Sequence, residues 1–151
     1  MKLLRIVASL AALWTLSGFA QENTWKDSDL IYPEKLAARL TNASEVKPAI
    51  LFVGFQALYH SAHIPGAVFV GATSKQEGIE ALRQAVVKLP HGGEIVIYCG
   101  CCPFDKCPNV RPAYDELRKL GFTKVTVLAL PTNTSKDWIA KGYPVERPKS
   151  Q

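Results

Sequence analysis

The residues best suited to chemistry lie in one stretch, VIYCGCCPFDKCPNVRP at positions 96–112. It holds all four cysteines of the 151-residue chain: Cys99, Cys101, Cys102 and Cys107. Thiols this close together can do three things. They can supply a nucleophile, bind a soft metal, or close a disulfide.

The nucleophile reading singles out Cys99. It ends EIVIYC, a β-branched and aromatic run that predicts a strand. The prolines place the helix that follows. Pro112 fits only a first helical turn, so the helix starts near Asn109, a favoured N-cap residue. The loop then spans about residues 99–108. A thiol at its mouth faces backbone N–H groups and the positive end of the helix dipole, both of which favour thiolate. An ordinary cysteine is only about 3% ionised at pH 7, and a two-unit fall in pKa makes it roughly three-quarters ionised. Gly100, Cys101 and Cys102 belong to the expected amide cradle, and Lys106 and Arg111 add positive charge for an oxyanion.

The other two readings stay open. An even cysteine count in an exported chain favours a disulfide clamp. Adjacent Cys101 and Cys102 pair only with strain, whereas either one could reach Cys107 across the loop. Such a bond would also suit a resolving role for Cys102 or Cys107 toward Cys99. The pattern C-x-C-C-x4-C offers enough sulfur for copper or zinc, but the loop contains no histidine and the spacing is not a standard zinc pattern. No metal ligand is therefore assigned and no cofactor is expected.

The elements that must position these thiols alternate in type. Pro33 opens a helical pattern with Leu36 and Leu40 on one face, and AILFV at residues 49–53 is an apolar strand. A loop leads to HIPGA at residues 63–67, followed by a short strand at residues 68–70. Ile79, Leu82, Val86 and Leu89 mark a helix within residues 75–89. After the thiol loop, residues 110–120 are helical with Ala113, Leu117 and Leu120 inward. KVTVL is a strand, and Trp138 lies in a last short helix. Strands apolar on both faces and alternating with helices imply an α/β fold. The expected architecture is a small parallel sheet flanked by helices on both faces.

Composition narrows the setting. Hydrophobic residues make up 48% of the chain and charged ones 21%, which suits one domain with one core. Residues 1–20 combine a basic start at Lys2 and Arg5, an apolar run and Gly18-Phe19-Ala20, the pattern of a cleaved secretory signal peptide. The expectation is export, most simply to a bacterial periplasm, with no lipid anchor and no membrane association after cleavage. Cleavage leaves 16 basic residues against 13 acidic ones, a charge of +3 without a basic block, so no nucleic-acid partner is expected. Residues 21–29 are a polar lead-in, 30–147 the domain, and 148–151 a C-terminal tail.

HIPGA, the strand ending in Cys99, LRKLGF, KVTVL, and Trp138 followed by KGYPV occur in that order, and together they resemble a rhodanese domain over about residues 30–146. The resemblance implies a sulfurtransferase. Its strand-end cysteine, here Cys99, takes a sulfane sulfur from a donor such as thiosulfate. It then passes the sulfur, as a persulfide, to a thiol acceptor. Three departures stand out. The loop from Cys99 to the LRKLGF helix is about five residues longer than is usual in the family, with Arg111 the nearest match to its closing arginine. Phe52 and Gly54 replace an Asp-x-Arg pair, and Asn133-Thr134 replace a Gly-Gly. A soft-metal module, a rhodanese fold that only mediates interactions, and the longer-looped oxyanion chemistry of phosphatase-like relatives are the competing readings. His63 is expected to fix its turn and Trp138 to pack in the core. Oligomeric state is not legible in the sequence.

Overall fold

A computed structural model describes residues 25–148. The signal-peptide expectation falls outside that range, as do residues 21–24 of the polar lead-in and 149–151 of the tail.

Five strands form one parallel sheet: β1 (Leu30–Ile31), β2 (Ala49–Phe52), β3 (Ala67–Phe69), β4 (Glu94–Tyr98) and β5 (Lys124–Leu128). Their spatial order is β1-β5-β4-β2-β3, so β4 is central. It pairs with β2 from Ala49↔Ile95 to Phe52↔Tyr98, and with β5 from Glu94↔Lys124 to Ile97↔Val127. Four helices connect the strands, α1 (Pro33–Thr41), α2 (Gln56–Ser61), α3 (Gln76–Val86) and α4 (Val110–Lys119), and α5 (Thr134–Asp137) follows β5.

The side-chain alternation of β4 divides the core. Ile95, Ile97 and Cys99 pack with Leu82 and Val86 of α3 and with Val110, Ala113 and Leu117 of α4. Val96 and Tyr98 face the opposite layer, with Leu36 and Ala37 of α1, Ile64 and Trp138. Leu117 is fully buried, so truncating it to alanine would cost about 2–5 kcal/mol. The helix-on-both-faces arrangement expected from the sequence is the one observed.

Two elements differ from expectation. β1 is a two-residue edge strand held by its register with Val127 and Leu128, too short to leave a pattern in sequence. The stretch expected to be a loop before HIPGA contains α2, a six-residue helix with no buried residue and hence no apolar stripe to read. Beyond it, Ile64 N–H donates to the Tyr98 hydroxyl at 3.0 Å, which ties the HIPGA turn to the central strand.

His63 fixes this turn as expected. It exchanges backbone hydrogen bonds with Glu146 at 2.9 and 2.8 Å and stacks on Tyr59 at 3.9 Å between ring centroids. Trp138 is fully buried, and its indole N–H donates to the Pro144 carbonyl at 2.7 Å.

Candidate active site

Cys99 lies one residue beyond the end of central strand β4, at the carboxyl edge of the sheet where open α/β folds place their ligands. It is only 2% exposed. Gly100 then turns back with φ of +81°, a conformation that an L side chain rarely adopts. That reversal lays Cys101 over Cys99 with 3.3 Å between sulfurs, and Cys102 follows at 3.1 Å from Cys101. A single 3-10 turn, Phe104–Lys106, brings the chain round to Cys107, which is also buried. The Cys107 sulfur lies within 4.8 Å of those of Cys99 and Cys101. All four cysteines are free thiols.

The extra loop length therefore folds the additional thiols back onto Cys99. Their protonation follows from that packing. Cys107 is pushed far above the usual thiol range by its hydrogen bond to Cys99, by burial, and by charge on Cys99. Cys101 is raised to about 11, chiefly by burial and then by its hydrogen bond with Cys102. Cys102 is raised too, mainly by burial.

Three amides of the loop are taken up by backbone carbonyls. Phe104 N–H donates to the Leu130 carbonyl, Lys106 N–H to Pro103, and Cys107 N–H to Phe104. The backbone N–H groups of Asn109 and Val110 partly offset the rise in the Cys107 pKa.

Asn109 occupies the N-cap position of α4, but its side chain makes no cap bond, and its backbone is already helical at φ −93°, ψ −31°. Its Nδ2 donates instead to Cys99 Sγ at 3.4 Å, while its Oδ1 accepts from Ser74 N–H at 3.0 Å. The Thr73 hydroxyl donates to the Asn109 carbonyl. Cys99 therefore has a buried amide donor that ties it to the segment leading into α3.

The two basic residues part company. Lys106 is exposed on the 3-10 turn. The Arg111 guanidinium lies 3.3 Å from the centroid of the Trp25 ring, and Trp25 in turn meets Tyr114 edge-on at 5.2 Å. Arg111 thus carries a stacking role not legible in its spacing from Cys99.

A cleft of about 250 Å³ opens beside the loop, lined in part by Gly100, Cys101, Thr134, Ser135 and Leu58. Cys101 is the thiol that faces it. Thr134 N–H donates to the Gly100 carbonyl at 3.0 Å, and the buried Thr134 hydroxyl has no hydrogen-bond partner among the described residues. A Cβ on Gly100 would fall 2.0 Å from that hydroxyl oxygen, so glycine is required there twice over. A larger cavity of about 580 Å³ lies at the opposite edge of the sheet, near Leu30, Glu94 and Lys124, and contains no cysteine or histidine. The smaller cleft is the one that a cysteine of the loop lines.

The departure at Gly54 has a steric cause. A Cβ there would lie 2.8 Å from the Cys99 carbonyl oxygen and 3.0 Å from its sulfur. Asn109, Gly54, Thr73 and Thr134 were not foreseen as site residues. The one available signal was Asn109, in CPNVRP, which was read only as a cap.

The family model of the rhodanese-like domain matches residues 33–130. Among solved structures, a rhodanese-like domain from Anabaena sp. is 24% identical, with a TM-score of 0.59 over 81% of this chain and 83% of that one. A protein from Bacillus halodurans gives a TM-score of 0.61 at 20% identity, covering 80% of this chain and 77% of that one. A thiosulfate sulfurtransferase from Pseudomonas aeruginosa is 28% identical, with a TM-score of 0.58 over 82% of this chain but only 20% of that longer one. No curated protein matches the sequence.

Proposed function

Because the chain belongs to the rhodanese-like domain family, we propose that it is a sulfurtransferase whose persulfide forms on Cys99. The observation that carries this reading is the position of Cys99 just past the central strand, with a buried amide, Asn109 Nδ2, directed at its sulfur. In the first step the Cys99 thiolate attacks the outer sulfur of a donor such as thiosulfate. The donor S–S bond breaks, and sulfite leaves with the electron pair. Cys99 then carries the sulfane sulfur as a persulfide, whose charge the Asn109 amide stabilises.

The donor enters through the cleft, where Lys106 on the neighbouring turn supplies positive charge for its oxyanion. Cys101, 3.3 Å from Cys99, is the thiol best placed to move the sulfur outward. The Cys101 thiol, held protonated by burial, gives its proton to the anionic Cys99 persulfide as its sulfur attacks the outer sulfur, restoring the Cys99 thiolate and leaving a Cys101 persulfide for an acceptor thiol. This relay is redox-neutral and needs no outside oxidant. The resolving role that the sequence offered to Cys102 or Cys107 therefore passes to Cys101. The signal-peptide pattern supports export, with a small thiol or a partner's cysteine as the acceptor. Among the described residues no helix is long and apolar enough to cross a membrane.

The test is mass spectrometry of the reduced chain after thiosulfate treatment. One added sulfur atom should map to Cys99 and vanish in Cys99→Ser. An adduct that survives Cys99→Ser, or no adduct at all, would sink the assignment.

A further inference from the structure

Sulfur transfer uses one thiol, or two with the relay, yet the loop holds four. The sulfurs of Cys99, Cys101 and Cys107 all lie within 4.8 Å of one another, and no carboxylate or imidazole shares the cluster. A metal–sulfur distance of about 2.3 Å in a trigonal plane sets the three sulfurs ~4 Å apart. The observed spacing, from 3.3 Å between Cys99 and Cys101 up to the 4.8 Å bound, brackets that value. Bringing each pair to that separation changes the spacings by less than about an ångström. We propose that Cys99, Cys101 and Cys107 form a trigonal thiolate site for monovalent copper.

The choice of ion follows from the donor set. An all-sulfur site selects soft ions, which leaves copper(I) and zinc as the main candidates. Zinc takes four ligands in a closed tetrahedral site. Here three thiols share the mutual range, whereas Cys102 contacts Cys101 at 3.1 Å and is not part of that set. Copper(I) is satisfied by two or three thiolates. The surroundings suit an anionic complex as well. Asn109 Nδ2 donates to Cys99 at 3.4 Å, so this buried ligand has a fixed N–H directed at it.

Access and rigidity agree with this assignment. Cys99 is anchored by β4 and Cys107 by the start of α4, while half-buried Cys101 lines the cleft and gives the ion its way in. The positive φ of Gly100 is what folds Cys101 back over Cys99. Binding forms three Cu–S bonds and releases three thiol protons. Copper enters as copper(I) and leaves unchanged, so no redox partner is needed. Cys99 is shared with sulfur transfer, and a copper-loaded chain should therefore not form the persulfide. That consequence alone rests on the sulfurtransferase reading; the metal site does not.

The experiment is anaerobic titration of the reduced full-length chain with copper(I) in competition with a chromophoric chelator, followed by X-ray absorption of the complex. The expected result is one ion per chain with three sulfur neighbours. Cys101→Ser and Cys107→Ser should each weaken binding by about 100-fold or more, whereas Cys102→Ser should leave it unchanged. The absorption spectrum of the unsubstituted chain decides the ligand count even if Cys107→Ser folds poorly. Failure to take copper from the chelator would overturn the site, as would four sulfur neighbours around zinc bound in preference, or equal losses in Cys102→Ser and Cys101→Ser. Persulfide mapping on metal-free protein reports separately on sulfur transfer, so the two proposals can fail independently.

Discussion

Asn109 Nδ2 donates to the sulfur of Cys99 at 3.4 Å from a side chain with no solvent exposure, and its Oδ1 is held at 3.0 Å by the amide of Ser74. The two ends of one side chain thus do separable jobs, and substitution can part them. Asn109→Asp keeps an acceptor for Ser74 but turns a carboxylate oxygen toward a sulfur that must carry negative charge. A hydrogen bond to a charged group is worth about 1.5–3 kcal/mol, so persulfide formation should slow at least ~10-fold. Asn109→Ala should slow it similarly and also destabilise the fold by about 1–3 kcal/mol, through the amide of Ser74 left behind. Stopped-flow rates with thiosulfate, set beside urea denaturation, distinguish the two effects. Equal rates in both variants and the unsubstituted chain would remove Asn109 from the chemistry.

Gly54 lies so close beneath Cys99 that a methyl group there meets the Cys99 carbonyl oxygen at 2.8 Å and the sulfur at 3.0 Å. Backbone on one side and sheet on the other leave little room to yield. Gly54→Ala should cost about 1–3 kcal/mol in chemical denaturation by overpacking, and should displace Cys99 enough to lower the transfer rate. A variant as stable and active as the parent would show that the approach is not tight.

The alternation of apolar runs with helical spacings, and the prolines that delimit α4, were enough to place Cys99 at a strand end. These signals are local, and they survive folding because each element buries a face that its own residues specify. Asn109 shows the limit. Its type and place correctly marked the start of α4, but which way its amide points depends on Ser74 and Cys99, and sequence spacing does not record that. Thr134 meets Gly100 across more than thirty residues of chain for the same reason. The fold-back of Cys101 onto Cys99 likewise follows from the path of the extra loop residues, which only the folded chain defines.

The Tyr98 hydroxyl, on the residue before Cys99, accepts the Ile64 amide at 3.0 Å in a fully buried setting. Burial, partly offset by that bond, lifts its pKa well above the ordinary phenol range, so it remains a neutral acceptor at any working pH. Tyr98→Phe removes the acceptor and strands a buried N–H, at a cost of about 1–3 kcal/mol. Hydrogen exchange at Ile64 should accelerate by more than the global destabilisation explains, because the HIPGA turn loses its tie to β4. Exchange that tracks global stability alone would place that tie elsewhere.

Arg111 separates the role its spacing suggested from the one its contacts show. Its guanidinium lies 3.3 Å from the centroid of the Trp25 ring, where both the charge and the planar shape contribute. Arg111→Lys keeps the charge but loses the flat stack, and Arg111→Ala loses both. If stacking is the main role, the two variants should lose similar stability, about 0.5–2 kcal/mol, and both should change the Trp25 fluorescence. If the charge instead holds the donor's oxyanion, the lysine variant should keep the parental KM for thiosulfate while the alanine variant raises it several-fold. Measuring Tm and KM on the same two proteins decides between these roles, and the contact with Trp25 favours the first.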